Sequence, residues 1–408
     1  MNFSESILIA FDSVRSNKLR SFLTLLSVMI GVFAIIGAGT LTRSVEDTVT
    51  KEVNSIGDAT AIIGKFPAIP AGRDWQTYAK RKNITYKQYQ KLKNTLKEAE
   101  YITSFTQTNG NVVKSSYDNS DPDVTLVGCD ENGILGLSRD IQAGRNIINE
   151  DLVFRRNVAI IGKDIVTKVF KNNDPLGKSI IVGNQTYQIV GILKPKGATM
   201  GQSNDNMVLV PINLYLDYHS NSRQSLTIMV HAKDKKSYDK VVQEAINKFR
   251  IIRNLKPWQS NDFEIESSST IADTFSSFTS YLTYFGIICG VISLIAAGIG
   301  IMNIMLMSVK ERTREIGVRK ALGARKSWIL YQFIIETITL CQIGAIAGII
   351  SGLGGAFILT NMMNMSLSFP IGWIIFAIVV CTLLGVVSGA YPAWKAANLD
   401  PIEALRYE

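Results

Sequence analysis

Four apolar runs, each long enough to cross a lipid bilayer as a helix, divide this chain and leave one long mixed segment between the first and the second. The runs cover residues 22–41, 284–307, 328–359 and 371–391. A helix rises ~1.5 Å per residue, so about 20 apolar residues match a hydrocarbon core of roughly 30 Å. Lipid offers no hydrogen bonds, so each run has to satisfy its own backbone, and a helix does this within one segment. Residues 42–283 are too many and too polar for a connecting loop, so the sequence predicts a separate domain there.

Charge gives the expected orientation. The stretch between the second and third runs, S-V-K-E-R-T-R-E-I-G-V-R-K-A-L-G-A-R-K-S, covers 308–327. It carries Lys310, Arg312, Arg314, Arg319, Lys320, Arg325 and Lys326 against Glu311 and Glu315. A short loop this basic is retained on the cytoplasmic side. Arg15, Lys18 and Arg20 place the start of the first run on that side too, whereas the 360–370 connection has no charge. Both termini are therefore expected in the cytoplasm and 42–283 outside it. In residues 1–21, Phe3, Ile7, Phe11 and Val14 recur at helical spacing and predict an amphipathic helix in the cytoplasmic interface. A signal peptide fits poorly, because the following apolar run is about twice a usual h-region. Residues 392–408 are expected to form a cytoplasmic tail.

The basic loop is also helical in pattern. Glu315 and Arg319 stand four apart in the favourable order, Arg312 and Glu315 three apart, and Gly323 is suited to ending a helix. Val309, Ile316 and the Ala321–Leu322 pair are its apolar contact points. A purely topogenic loop needs no such pattern; a short helix that docks on a separate protein does. Elsewhere small residues recur four apart, at Gly286 and Gly290, at Gly344, Gly348 and Gly352, and at Gly385 and Gly389. Such stripes let helices approach closely in lipid. Beyond the first run, Val45, Val49, Val53 and Ile56 form a helical stripe, and Ile271, Phe275, Phe278 and Leu282 form another before the second run. Each needs a partner, and the pair is expected to form a two-helix stalk, or a bundle of four in a dimer.

Between these stripes the pattern is mixed. Strands are predicted at 60–66, 112–115, 124–129, 158–161, 179–182, 185–190, 207–210, 226–232 and 263–267, with Gly183-Asn184 as a two-residue hairpin turn. Thr85 is expected to cap a helix over 86–97 and Ser237 a helix to about Arg250, with a loop over 66–83 that includes a solvated Lys80-Arg81-Lys82 cluster. The fold class is α+β: four transmembrane helices with one large extracytoplasmic domain on a helical stalk.

Composition excludes several functions. The net charge of +9 is concentrated in the basic loop and dilute elsewhere, so nucleic acid is not an expected partner. Only Cys129 lies outside the apolar runs, which rules out a disulfide within the insert. His219 and His231 stand in no metal-binding pattern. Asn172–Ser179, N-N-D-P-L-G-K-S, ends like a phosphate loop, but Asn172 replaces the required glycine. With no other Walker-type motif, the chain is expected to bind no cofactor and not to hydrolyse ATP itself. Glu336 is the one ionisable residue well inside a run; a contact near the cytoplasmic face, with Arg319 or Lys320, is the expected reason.

Three stretches carry a family resemblance. E-R-T-R-E-I-G-V-R-K-A-L-G-A within the basic loop, N-K-L-R-S-F-L-T-L-L-S-V-M-I-G-V (Asn17–Val32) and Y-P-A-W-K-A-A-N-L-D-P-I-E-A-L-R-Y-E (Tyr391–Glu408) resemble permeases of the FtsX/MacB group of ABC transporters. The segments G-R-N-I-I-N-E-D (Gly144–Asp151) and N-D-P-L-G-K-S-I (Asn173–Ile180) resemble that group's periplasmic core. The resemblance implies a MacB-type exporter permease without a fused ATPase, with 308–327 as the coupling helix. Glu311, Arg312, Glu315, Ile316, Arg319, Lys320, Ala321, Leu322 and Gly323 would then meet a separate ABC ATPase, which holds the ATP and Mg. It implies a homodimer or a pair with a related permease, in contact with membrane lipid, in the bacterial cytoplasmic membrane. A periplasmic adaptor and an outer-membrane channel are further partners of such systems. Motion is passed outward by mechanotransmission, and the substrates are drugs, peptides or other amphiphiles. A lipoprotein-releasing permease of the LolC/LolE type, an FtsX-like regulator of a cell-wall hydrolase and a membrane-anchored sensor are the alternatives.

Overall fold

The computed structural model describes residues 18–57, 59–67, 75–220 and 224–406. The amphipathic stretch Phe3–Val14 lies outside them. In chain order the elements are α1 (Lys18–Ile56), β1 (Thr60–Gly64), α2 (Trp75–Lys80), α3 (Tyr86–Thr95), β2 (Ala99–Asn111), β3 (Val113–Lys114), β4 (Val124–Cys129), α4 (Gly133–Gly136), β5 (Ile141–Gly144), α5 (Asn149–Val153), β6 (Val158–Ile161), α6 (Lys163–Lys168), β7 (Ser179–Val182) and β8 (Gln185–Leu193). They continue with β9 (Ala198–Thr199), β10 (Gln202–Ser203), β11 (Met207–Pro211), α7 (Ile212–Tyr218), β12 (Thr227–Ala232), α8 (Lys235–Ile252) and β13 (Glu264–Ser267). The last five are α9 (Ser268–Glu311), α10 (Thr313–Ala321), α11 (Lys326–Met362), α12 (Ile371–Ala397) and α13 (Pro401–Arg406). They fall into two compact units, Met1–Asp47 with Ser277–Glu408, and Thr48–Ser276.

The first unit holds the four helices long and apolar enough to cross a membrane, α1, α9, α11 and α12. Its core is formed by Val28, Val32, Ile35 and Ile36 of α1 with Leu294, Ala297, Ile301 and Met305 of α9 and Leu340, Cys341 and Ala345 of α11. The fourth apolar run, 371–391, lies within α12, which continues through a buried Pro392 to Ala397. Proline removes one backbone hydrogen bond, but a helix packed among neighbours tolerates that loss.

The second unit is built on an eleven-stranded mixed sheet, ordered β13-β1-β12-β2-β4-β11-β6-β8-β7-β3, with β5 beside β8. The pairs β4–β11 and β6–β8 are parallel and the others antiparallel. Strand alternation separates two cores. Val127, Ile160 and Leu209 face one, closed by Val241, Ala245 and Phe249 of α8; Leu126, Ala159, Ile161, Val208 and Val210 face the other, closed by Ile165, Val166 and Phe170. Burial on both faces explains why the central strands read as unbroken apolar runs. The β7–β8 hairpin turns at Gly183, whose φ of 60° suits the first central position of a two-residue turn.

At four places the structure differs from what the local sequence pattern predicts. The longest strand, β2, lies where no strand was predicted. Its Thr103, Ser104 and Thr106 are buried, and polarity hid the alternation. The Thr103 hydroxyl donates to buried Asp130 at 2.5 Å, which also accepts from the Tyr89 hydroxyl. Ser237 is not the cap of α8; Asp234 is, accepting from the Ser237 N–H at 2.7 Å, with Ser237 at the third helical position. The expected loop over 66–83 contains α2. Arg81 is not left to solvent: it pairs with Glu264 at 2.7 Å and stacks on Tyr78.

Candidate functional site

The basic loop folds as α10, and its end is closed by backbone hydrogen bonds. Gly323 N–H donates to the Lys320 carbonyl at 3.0 Å and Ala324 N–H to the Arg319 carbonyl at 3.1 Å. This pair of bonds is the Schellman closure, which needs a left-handed residue, and Gly323 supplies it at φ 90°. One face of α10 is held from within its own unit. Ile316 is buried among the helices, and a Cβ at Gly317 would meet the Ala404 Cβ at 2.7 Å, so only glycine lets α13 lie this close. The Lys320 ammonium donates to the Leu399 carbonyl at 2.6 Å. Partial burial, with Lys326 nearby, holds that lysine below its usual range. Arg319 bonds Glu315 and donates to Gln332 at 3.0 Å on α11.

The opposite face is open. Val318, Ala321, Leu322, Gly323 and Arg325 are exposed, and Leu322 most of all, at 83%. Leu322 lines a cleft of about 940 Å³ with Arg319, Trp328, Tyr331 and Ile335. Ile316, expected at the contact, instead belongs to the bundle core, as does Val309. Glu311 is exposed and Arg312 half-buried. Glu336 is 2% exposed, and its partner is Arg312 at 3.5 Å rather than Arg319 or Lys320. Arg319 turns instead to Glu315 and Gln332, and Lys320 to Leu399, which leaves Arg312, at the α9–α10 break, beside the carboxylate.

The glycine stripes lie against other helices of the same chain. Added Cβ atoms would meet Ala38 at Gly286, Ile35 at Gly290, Val28 at Gly344, Val32 at Gly348, Ile36 at Gly352, Ile338 at Gly385 and Thr337 at Gly389, at 2.4–3.1 Å.

The stalk stripes give a different picture. Within the first unit, Phe278 and Leu282 are exposed and Val45 half-buried. The α9 face turned to α1 is polar: the Thr279 hydroxyl donates to Glu46 at 2.8 Å and that of Thr283 to Thr42 at 2.9 Å. Phe278 and Leu282 are thus not the residues that join these two helices. In the second unit Val53 is buried, while Val49, Ile271 and Phe275 are half-buried; the Ile56 side chain lies outside the described residues. There the end of α1 is fixed by groups the stripe did not single out. Glu52 pairs with Lys196 at 2.7 Å and accepts from Thr199 at 3.0 Å, and the Ser138 hydroxyl donates to the Ser55 carbonyl at 2.7 Å. Beneath them Arg139 and Asp205 form a buried pair at 2.9 Å. Asp205 also accepts from the Lys196 and Gly197 N–H groups. Burial alone would raise the Asp205 carboxyl, but these donors outweigh it and hold it below the usual range. The same balance, with Lys196 as main partner, lowers Glu52.

This architecture defines a class of membrane permease. Residues 21–248 match the MacB-like periplasmic core domain and 287–401 the FtsX-like permease C-terminal domain. The chain belongs to this MacB/FtsX-like family of ABC transporter permeases, multi-pass membrane proteins. Over its full length it is 31% identical to an uncharacterised ABC transporter permease, YknZ, of Bacillus subtilis, covering all of both chains. It is also 31% identical to the macrolide export ATP-binding/permease protein MacB of Bdellovibrio bacteriovorus, over 98% of this chain but 61% of that protein. The solved periplasmic region of MacB from Actinobacillus actinomycetemcomitans is similar at a TM-score of 0.45 and 16% identity, covering 55% of this chain and 96% of that one.

Proposed function

We propose that this chain is the transmembrane subunit of a MacB-type ABC transporter and works with a separate ATPase. ATP and Mg are then held by the partner, and α10 is the helix through which force enters. The observation that carries this reading is the two-faced build of α10. One side is tied to α11 by Arg319, to the core by Ile316 and to the chain's end by Gly317 and Lys320. The other presents Val318, Ala321 and Leu322 to solvent in a loop where charge would be expected. A push on an anchored helix reaches the bundle; a push on a loose one is dissipated. We further propose two permease copies per transporter, both termini and α10 on the cytoplasmic side, and export of drugs, peptides or other amphiphiles by motion relayed to the outer domain.

Leu322→Asp places an unpaired carboxylate in any apolar contact made there, at a cost of several kcal/mol. It should abolish co-purification of the ATPase, while Arg325→Ala, a charge at the rim, should change recovery little, in line with roughly 0–1 kcal/mol. Pull-down at equal permease level is the measurement. Equal recovery with Leu322→Asp and the unaltered chain removes the coupling assignment.

A further inference from the structure

At the end of the four-helix unit opposite α10 there is a second cavity, of about 520 Å³. It is lined by Arg43, Glu46 and Asp47 with the hydroxyls of Thr42, Ser280 and Thr283, and by the rings of Tyr284 and Trp373. These residues lie where three apolar runs end. Leu41 closes the first run, Tyr284 opens the second and Ile371 opens the fourth. The cavity therefore sits at the depth of a membrane–water interface, where Trp and Tyr also favour a position.

We infer that this cavity binds the zwitterionic head group of a phospholipid, an anionic phosphate beside a primary ammonium. Three observations point to that ligand. Among the described residues Arg43 makes no hydrogen bond or ion pair, so its guanidinium is available to a phosphate, for which its fork of donors is suited. Glu46 and Asp47 are fixed, the first by Thr279 at 2.8 Å and the second by Ser368, so they present carboxylates in defined places to a cation. The three charges sum to −1, which disfavours a head group that is anionic overall. The wall is shaped as well: Trp373 lies so close to Gly39 that a Cβ there would meet its ring at 2.8 Å. From Tyr284, the exposed side chains Ile288, Ile292 and Ile295 continue along one face of α9 and offer a path for the acyl chains.

This inference is independent of the ATPase assignment, and its test requires no ATPase. The purified full chain in detergent is titrated with dihexanoyl phosphatidylethanolamine, dihexanoyl phosphatidylglycerol and glycerophosphoethanolamine, the zwitterionic head group without acyl chains, and bound ligand is counted by native mass spectrometry. Phosphatidylethanolamine should bind about tenfold more tightly than phosphatidylglycerol. Arg43→Gln should weaken it about tenfold, the usual effect of losing one charge-assisted hydrogen bond. Arg43→Lys should restore part of that loss, which a merely structural role for an exposed side chain would not produce. Asp47→Asn should narrow the gap between the two lipids. Binding of glycerophosphoethanolamine as tightly as the acylated lipid would locate recognition entirely in the head group, and binding of the acylated form alone would add the α9 path; both support the site. Equal binding of the two lipids by the unaltered chain, or unchanged phosphatidylethanolamine binding in Arg43→Gln, overturns it.

Discussion

In the four-helix unit glycine stands where one helix crosses another, whereas in the sheet unit it meets turn and strand backbone, as Gly144 and Gly162 do, and the cores are filled by branched and aromatic side chains. Gly290 admits Ile35 and the Gly31 carbonyl, and Gly348 admits Val32 and the Met29 carbonyl. In the sheet unit Ile160, Leu209 and Phe249 fill one core, and Tyr187 and Phe170 the other. The difference follows from the solvent. Lipid tails are as apolar as leucine, so helices in a bilayer gain little from burying side chains and associate through shape and dispersion. In water the same burial removes apolar area from solvent at about 25 cal/mol per Å². The two units also place charge differently. The bundle's buried Glu336 lies close to its end beside Arg312, while the sheet unit places Arg139 and Asp205 together under the end of α1.

The strongest way to break this comparison is to remove one partner of the buried pair. Asp205→Ala leaves Arg139 desolvated without its carboxylate, a change that typically costs about 3–5 kcal/mol. Chemical denaturation of the sheet unit, followed in the full chain, should show this loss while the helices remain folded. The pH dependence sharpens the point. The folded-state Asp205 carboxyl titrates below its unfolded value, so its contribution is present above ~4 and is lost as pH falls through the folded value. Asp205→Ala should therefore flatten the acid side of the stability profile. An unchanged profile would mean that the pair does not hold this region.

The counterpart in the bundle is Gly348→Val. A Cβ there would lie 2.6 Å from the Val32 Cβ and 2.8 Å from the Met29 carbonyl oxygen, and backbone atoms cannot step aside. Overpacking of this kind typically costs about 1–3 kcal/mol. Thermal aggregation of the detergent-solubilised chain should begin at lower temperature, with little effect from Gly354→Ala, where the added Cβ meets nothing within 4 Å. Equal behaviour of the two variants would remove close glycine packing as the basis of the bundle. The smallest effect is expected at the loop. Gly323→Ala forces a side chain into the left-handed region, at about 1 kcal/mol. It should lower ATPase recovery modestly, well short of Leu322→Asp, by fraying the end of α10.

Much of this architecture follows from the sequence alone. Apolar run length identified four helices, because the thickness of a bilayer is a fixed ruler. Branched residues between turn signals marked Val124–Cys129, Val158–Ile161 and Ser179–Val182 as strands with the bounds the structure has. Thr85 was legible as a cap because capping is local, and the structure adds Gln88 as its reciprocal partner. Tertiary structure alone decided the rest. Strand β2 needed a buried Asp130 to satisfy Thr103, and no local pattern announces a partner 27 positions away. Pro392 ends a helix in isolation but not inside a packed bundle. The valine stripe marks one face of α1, yet Glu52, Lys196 and Ser138 fix its end, because a period records which residues share a face and not what meets them. Likewise Ile316 and Leu322 were equally apolar in the sequence. Only the packing of α10 against α13 and the bundle buried the first and left the second in solvent.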